Sequence, residues 1–222
     1  MGGLERYLTR DMALLVAANA IPLLGVLLAG WDAFTLLILY WFESAVIGLW
    51  VCVAIGMSTE KLAIFTRAGD PNAPSGIGAA LFVAAHAGIF MFVHLMFLVG
   101  FRSVSSSGMD DVPALLMRLL LEEGLWLPLA GLFLLRGLIT VSDHVAGRPL
   151  GPVVTGFYMR IIVMQFVILL GGFVTLLLGD SVVQLILLIG LRLAIDVGIE
   201  PIAQRLKLFA NSEPSAPADP GR

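Results

Sequence analysis

The chain has 222 residues, of which 59% are hydrophobic and 13% are charged, and its mean hydropathy is +0.99. This balance excludes an ordinary soluble domain and indicates an integral membrane protein. The net charge of -3 is not gathered into a tail, so nucleic acid is not an expected partner, and the single cysteine, Cys52, cannot form an internal disulfide.

Apolar segments follow one another along the chain, each close to the roughly 20 residues that a membrane-spanning helix needs. They cover residues 12–29, 33–57, 77–101, 124–141, 152–178 and 181–200. The first segment follows two basic residues but lacks a signal-peptide cleavage site, so we predict that it is retained as a span. The sequence therefore predicts an all-α fold, a polytopic membrane protein with a bundle of about six transmembrane helices.

The connections between these segments are short, which predicts a single transmembrane domain over residues 1–209. Residues 210–222, which include "NSEPSAPADPGR", have no apolar face and are predicted to form a flexible tail. The stretch "PALLMRLLLEEGLW", before the fourth span, is compatible with an interfacial amphipathic helix or with the start of a longer tilted span.

Basic residues are distributed unequally between the two sides of the predicted bundle. One side carries Arg6, Arg10, Lys61, Arg67, Arg148, Arg205, Lys207 and Arg222, and the other carries Arg102 and Arg118. Basic residues favour the cytoplasmic side, so both termini are predicted to be cytoplasmic. Trp31 and Trp126 lie at the opposite ends of their spans, which agrees with this orientation.

Ionisable residues inside the predicted spans are few. They are Glu43, His86, His94, Arg136, Arg160, Arg192, Asp196 and Glu200. From the helical rise, His86, Arg160 and Arg192 lie about 12–13 Å from the cytoplasmic end of their spans, Glu43 about 21 Å and His94 about 25 Å. A charge at such depth costs several kcal/mol, so each group should face the bundle interior and find a partner.

One interpretation is that these charges neutralise one another and only hold the helices together. Glu43 would pair with Arg160 or Arg192, and Arg192 would pair with Asp196, which lies four residues later on the same helix face. No bound ligand is needed in that case.

The other interpretation is a functional site, in which Glu43 is a titrating or ligating carboxylate and His86 or His94 is its partner. The two histidines are eight residues apart, about 12 Å along a helix, so a straight helix does not bring both to one ion. The candidate metal ligands are therefore Glu43 and His94. His144, which follows Asp143, is predicted to be a solvated loop residue rather than a lid over a cavity.

Three stretches carry a resemblance: "YWFESAVIGLW", "HAGIFMFVH", and "YMRIIVMQFVILLGGFVTLLLGD" with "LRLAID". They are similar to an uncharacterised family of bacterial polytopic integral membrane proteins, a domain of unknown function with Y-W-x-E, H-x7-H and R-I-V signatures. The resemblance implies a bacterial inner membrane location and the site candidates Glu43, His86, His94, Arg160, Arg192 and Asp196. Two positions depart from the pattern: Gln165 stands where a histidine is usual, and Glu200 where another histidine can follow the aspartate.

Three functions are compatible with these residues. The first is a membrane-embedded site that binds or conducts a proton, a metal ion or a small polar molecule, with the arginines holding an anionic group. The second is an accessory or scaffold subunit that binds other membrane proteins or a second copy through close helix contacts at glycines. The third, an intramembrane hydrolase or transferase that acts on lipid, ranks last because the chain has no nucleophile motif and metal-assisted chemistry needs a third ligand.

Haem is a weaker expectation than a metal ion. Ligation by two histidines requires residues that face one another from different helices, and only His144 is placed to face His86. No C-x-x-C-H motif is present. The sequence leaves the cofactor, the substrate and the question of enzymatic activity open.

Overall fold

The computed structural model describes residues 24–62, 72–105, 111–178 and 190, and within these ranges the chain forms six helices and no strand. Helix α1 occupies residues 24–29. It is followed by α2 (Ala33–Met57), α3 (Gly76–Ser105), α4 (Val112–Leu121), α5 (Trp126–Val145) and α6 (Leu150–Leu178). The predicted all-α fold is thus confirmed over the described residues.

Four of these helices, α2, α3, α5 and α6, are long and apolar enough to cross a membrane. Their limits differ by only a few residues from the predicted spans 33–57, 77–101, 124–141 and 152–178. Such agreement is expected, because a long apolar run in lipid must satisfy its backbone hydrogen bonds internally, as a helix does. The predicted spans 12–29 and 181–200 lie outside the described residues, apart from residues 24–29 and 190.

Helix α4 resolves the ambiguity of the stretch before the fourth span. Its 10 residues form a separate short helix, and α5 begins only at Trp126. Gly124, between the two helices, has a φ of 74°, a left-handed conformation that breaks the helical path and that glycine adopts without strain. The stretch is therefore a short helix of its own and not the start of a longer span.

The start of α2 is determined by local hydrogen bonds. The side chain of Asp32 accepts a hydrogen bond of 2.7 Å from the backbone N–H of Thr35, which caps the first turn. The preceding Trp31 is only 6% exposed, and its Nε1 donates to the backbone carbonyl of Glu123 at 3.0 Å. This bond joins the start of α2 to the turn between α4 and α5.

Helix α2 forms the centre of the described bundle and packs against α3, α5 and α6, while α6 also packs against α3. Two glycines allow close packing. A Cβ atom on Gly48 would lie 2.6 Å from the ring of Phe157 on α6, and one on Gly137 of α5 would lie 2.6 Å from the ring of Trp50. Helices α5 and α6 therefore approach α2 closely at these two glycines.

Candidate functional site

A salt bridge joins the middle of α2 to the middle of α6. Nη2 of Arg160 lies 2.9 Å from Oε2 of Glu43, and these side chains are 27% and 13% exposed. A charge placed among apolar side chains is costly unless it is paired and hydrogen-bonded. The predicted pairing of Glu43 with Arg160 is confirmed, and the alternative partner, Arg192, lies outside the described residues together with Asp196.

Ser44 adds a second contact to this arginine. Its side chain is 1% exposed, and its Oγ accepts a hydrogen bond of 3.1 Å from Nε of Arg160. The same hydroxyl donates to the backbone carbonyl of Tyr40 at 2.9 Å, one turn earlier on α2. Because the hydroxyl proton is committed to that carbonyl, the oxygen lone pairs point to the guanidinium, which orients Arg160 toward Glu43.

A cavity of about 690 Å³ lies beside this ion pair, between the C-terminal halves of α2 and α5 and the N-terminal half of α6. Arg160 lines it from α6, and Arg136 lines it from α5. Helix α5 also contributes Thr140 and His144. These three residues of α5 follow at intervals of four, so they form one polar stripe about 12 Å long on one side of the helix.

At the end of the bundle where α2 and α5 finish and α6 begins, polar contacts surround the cavity. Arg148 forms a salt bridge of 2.9 Å with Asp143. The carboxylate of Glu60 accepts a hydrogen bond of 2.9 Å from the backbone N–H of Leu150, the first residue of α6. His144 lines the cavity and is exposed, as predicted, but it belongs to the last turn of α5, so its predicted position in a loop is wrong. We call this end the mouth of the cavity.

Arg136 stands out among the charged groups of the cavity. It is close enough to Arg160 and Glu43 for electrostatic interaction with both. Glu43 is engaged by Arg160, and no described residue forms a salt bridge with Arg136. Since an arginine remains protonated in proteins, the described part of the cavity holds one guanidinium more than its nearby carboxylate can pair at short range.

Trp50 also lines the cavity, and its indole carries a buried hydrogen-bond donor. Its Nε1 atom is buried and has no hydrogen-bond partner among the described residues. The ring is held in place by Gly137, which leaves room for it, and by Phe133, whose ring centroid is 5.1 Å away. Both of those residues belong to α5, so Trp50 and Arg136 are positioned by the same helix contact.

His86 lies in an aromatic group between α3 and α6. Its Nδ1 is 3.1 Å from the hydroxyl of Tyr158, and its ring is stacked on Phe82 with a centroid distance of 5.8 Å. Phe90 contacts the imidazole edge-on, with a centroid distance of 5.2 Å. Tyr158 precedes Arg160 by two residues, so His86 and Arg160 lie at the similar depth that the sequence predicted.

His94 lies two turns further along α3 and is 1% exposed. The side chain of Gln165 on α6 is its hydrogen-bonding neighbour, and its Nδ1 has no partner among the described residues. The contacts of both histidines thus lead to side chains of α6. The proposed metal ligation by Glu43 and His94 stays a prediction, and the described residues contain no group of three or more His, Cys, Asp or Glu that could hold a metal ion.

Sequence reasoning did not assign Arg136, Trp50, Ser44 or Tyr158 to a site. Arg136 had a detectable signal, because an arginine inside an apolar segment calls for an explanation. Trp50 and Ser44 had none, since a tryptophan near the end of a span and a serine inside it are ordinary in membrane helices. Their importance depends on which way each helix is turned.

Comparison with known proteins yields one match, to a family model described as a family of unknown function (DUF6498), which covers residues 1–213. Neither the curated proteins nor the solved structures include a match. The four long apolar helices are compatible with an integral membrane protein. The family match extends over nearly the whole chain. The chain therefore belongs to the DUF6498 family, whose function is unknown.

Proposed function

We propose that this protein spans the bacterial inner membrane and binds a small anionic molecule in the cavity lined by Arg136 and Arg160. The observation that carries the proposal is Arg136, a guanidinium that lines a cavity of about 690 Å³ and has no salt-bridge partner among the described residues. An unpaired charge at membrane depth is unfavourable by several kcal/mol. A bound anion lowers that cost and gains charge-assisted hydrogen bonds.

The size and lining of the cavity support the same function. Ligand sites are commonly concave, about 300–1,000 Å³ in volume and mostly apolar, with a few polar groups that orient the ligand. Arg136, Arg160 and Trp50 supply hydrogen-bond donors, and apolar side chains form much of the remaining wall. In the orientation predicted from the basic residues, the mouth faces the cytoplasm, so the ligand would be exchanged with that side.

The Glu43–Arg160 pair has a defined part in this proposal. It neutralises Arg160 and leaves Arg136 as the principal anion-binding group, while Ser44 keeps Arg160 in place. Of the functions predicted for the polar centre, binding of a small polar molecule fits the surplus of hydrogen-bond donors best. A cation would be repelled by the guanidinium of Arg136.

The test is binding of simple anions to the purified full-length protein in nanodiscs of zwitterionic lipid, measured by isothermal titration calorimetry. Hexanoate and methyl phosphate are the anionic probes, and hexanamide is the neutral probe. We expect at least one anion to bind and R136Q to weaken it by tenfold or more, because a charge-assisted hydrogen bond contributes about 1.5–3 kcal/mol.

R118Q is the matched control, since it also removes one arginine charge but lies on the exposed side of α4, outside the cavity. Its affinity for the anion should equal that of the wild type. If neither anion binds, or if R118Q weakens binding as much as R136Q does, the proposed site is wrong.

A further inference from the structure

We infer that the ligand of this cavity is a monoanion that carries an apolar substituent next to its charged group. This inference rests on the proposed anion site and narrows it to a chemical class. It depends on three features of the described cavity: its balance of charge, the donor on Trp50 and its apolar walls.

The balance of charge favours a single negative charge on the ligand. Away from the mouth, the described ionisable groups at the cavity are Arg136 and Arg160, with Glu43 bound to Arg160 at 2.9 Å. One negative charge neutralises the remaining guanidinium. A second would be left without a cation among the described residues at this depth, which costs several kcal/mol in a membrane interior.

Trp50 indicates where the charged group lies. Its buried Nε1 donor has no partner among the described residues, and the ring packs against Gly137, the residue next to Arg136. An unsatisfied buried donor costs about 1–3 kcal/mol, so an acceptor atom on the ligand is favoured there. A carboxylate or a phosphodiester has two charged oxygens and can accept from Arg136 with one and from Trp50 with the other.

The walls around these donors are apolar. Ile47, Val51 and Phe157 line the cavity and are buried in the bundle core, and Ile139 and Val163 also line it. An anion as small as acetate would leave much of this surface in contact with water. A ligand with several methylene groups removes that surface from water, which contributes roughly 0.8 kcal/mol for each buried CH₂.

Two sources can supply this chemistry: a water-soluble monocarboxylate, or a lipid with a single phosphodiester charge. Both present one negative charge next to an apolar body. The monocarboxylate would reach the cavity from water and the lipid from the bilayer, so the experiment can distinguish the two sources.

The experiment compares four probes on the full-length protein in phosphatidylcholine nanodiscs by isothermal titration calorimetry. Hexanoate has one charge and an apolar chain, adipate has the same length and two charges, acetate lacks the chain and hexanamide lacks the charge. Titrations with R136Q in identical nanodiscs correct for partitioning of hexanoate into the bilayer. We expect hexanoate to bind at least tenfold more tightly than each of the other three.

Adipate or acetate binding as tightly as hexanoate would overturn the inference while the proposed anion site stands. If no anion binds in any arm, the proposed site itself fails. W50F keeps the aromatic character of the side chain and removes the donor, and it should weaken hexanoate binding about tenfold or more, in line with the loss of one hydrogen bond to a charged group. Unchanged affinity in W50F would refute the placement of the charged group beside Trp50.

Nanodiscs that contain phosphatidylglycerol identify the source. Competition that weakens hexanoate binding supports a lipid phosphodiester as the occupant. Unchanged hexanoate binding in these nanodiscs supports a monocarboxylate from the aqueous phase.

Discussion

The guanidinium of Arg160 and the carboxylate of Glu43 lie 2.9 Å apart although the two residues are separated by 117 positions in the sequence. This contact joins α2 to α6. It also affects the charge of the cavity, because Glu43 lies within electrostatic range of Arg136 but forms its 2.9 Å salt bridge with Arg160. Stability and the proposed ligand binding therefore both involve this pair.

Breaking this pair should destabilise the protein more when one partner is removed than when both are. E43Q and R160Q each leave a charge without its partner, which costs about 3–5 kcal/mol for buried pairs. The double variant E43Q/R160Q removes both charges and should lose much less than the sum of the two single losses. The loss of stability in each variant is measured by heating the purified protein and quantifying the soluble fraction at each temperature by size-exclusion chromatography. Additive losses would show that the two groups are not coupled.

Replacement of Ser44 should weaken the orientation of Arg160. S44A removes the acceptor at 3.1 Å from Nε of Arg160 and should cost about 1–2 kcal/mol, because a hydrogen bond to a charged group is lost. S103A is the matched control, since Ser103 also donates to the carbonyl four residues earlier, Val99, at 2.9 Å. A larger loss of melting temperature in S44A than in S103A is expected, and equal losses would exclude a contribution from the Arg160 contact.

A methyl group at Gly137 should disturb the cavity through Trp50. The new Cβ of G137A would lie 2.6 Å from the indole ring, so α5 must move away from α2 or the ring must move within the cavity. We expect a loss of about 1–3 kcal/mol, the usual range for overpacking. G131A on the same helix has open space around the added methyl, and should be neutral or slightly stabilising.

Intrinsic tryptophan fluorescence gives a second readout of this substitution. The summed emission of the four tryptophans should change in G137A, because the surroundings of Trp50 are altered, and stay constant in G131A. The explanation would be wrong if G137A matched G131A in both melting temperature and emission.

The contact between His86 and Tyr158 should stabilise the packing of α3 on α6. Y158F keeps the ring but removes the hydroxyl that lies 3.1 Å from Nδ1 of His86, and should cost about 1 kcal/mol. In an H86F background the hydroxyl has lost this partner, so adding Y158F should cost less there. Comparison of the four melting temperatures tests the contact, and an equal effect of Y158F in both backgrounds would contradict it.

The orientation predicted from the basic residues can be tested with single cysteines. Thr59 and Asp111 are exposed and follow α2 and α3, which are both long enough to span a membrane, so they should lie on opposite sides. In a C52A background, a membrane-impermeant maleimide added to spheroplasts should label D111C and leave T59C unlabelled until the membrane is disrupted. The reverse pattern would place the mouth of the cavity outside the cytoplasm.

The limits of the long helices could be predicted from the sequence because they depend on local properties. A run of about 20 apolar residues has one stable backbone arrangement in lipid, whatever its neighbours are. The rise of a helix per residue is constant, so the depths of Glu43, His86 and Arg160 could also be estimated, and the observed contacts agree with them. The pairing of Glu43 with Arg160 follows from depth and from the cost of an isolated charge.

Other features depend on how each helix is turned about its axis, and the apolar pattern of these helices does not determine that. The sequence offered both histidines as partners for Glu43, but their contacts lie with Tyr158 and Gln165. The positions of the polar stripe of α5 and of Trp50 at the cavity depend on how α5 packs on α2 at Gly137, which the sequence does not show. Length and depth were therefore determined by the sequence through helix geometry. The tertiary structure decided which side chains meet, because rotation and close approach are set by the shapes of the packed surfaces.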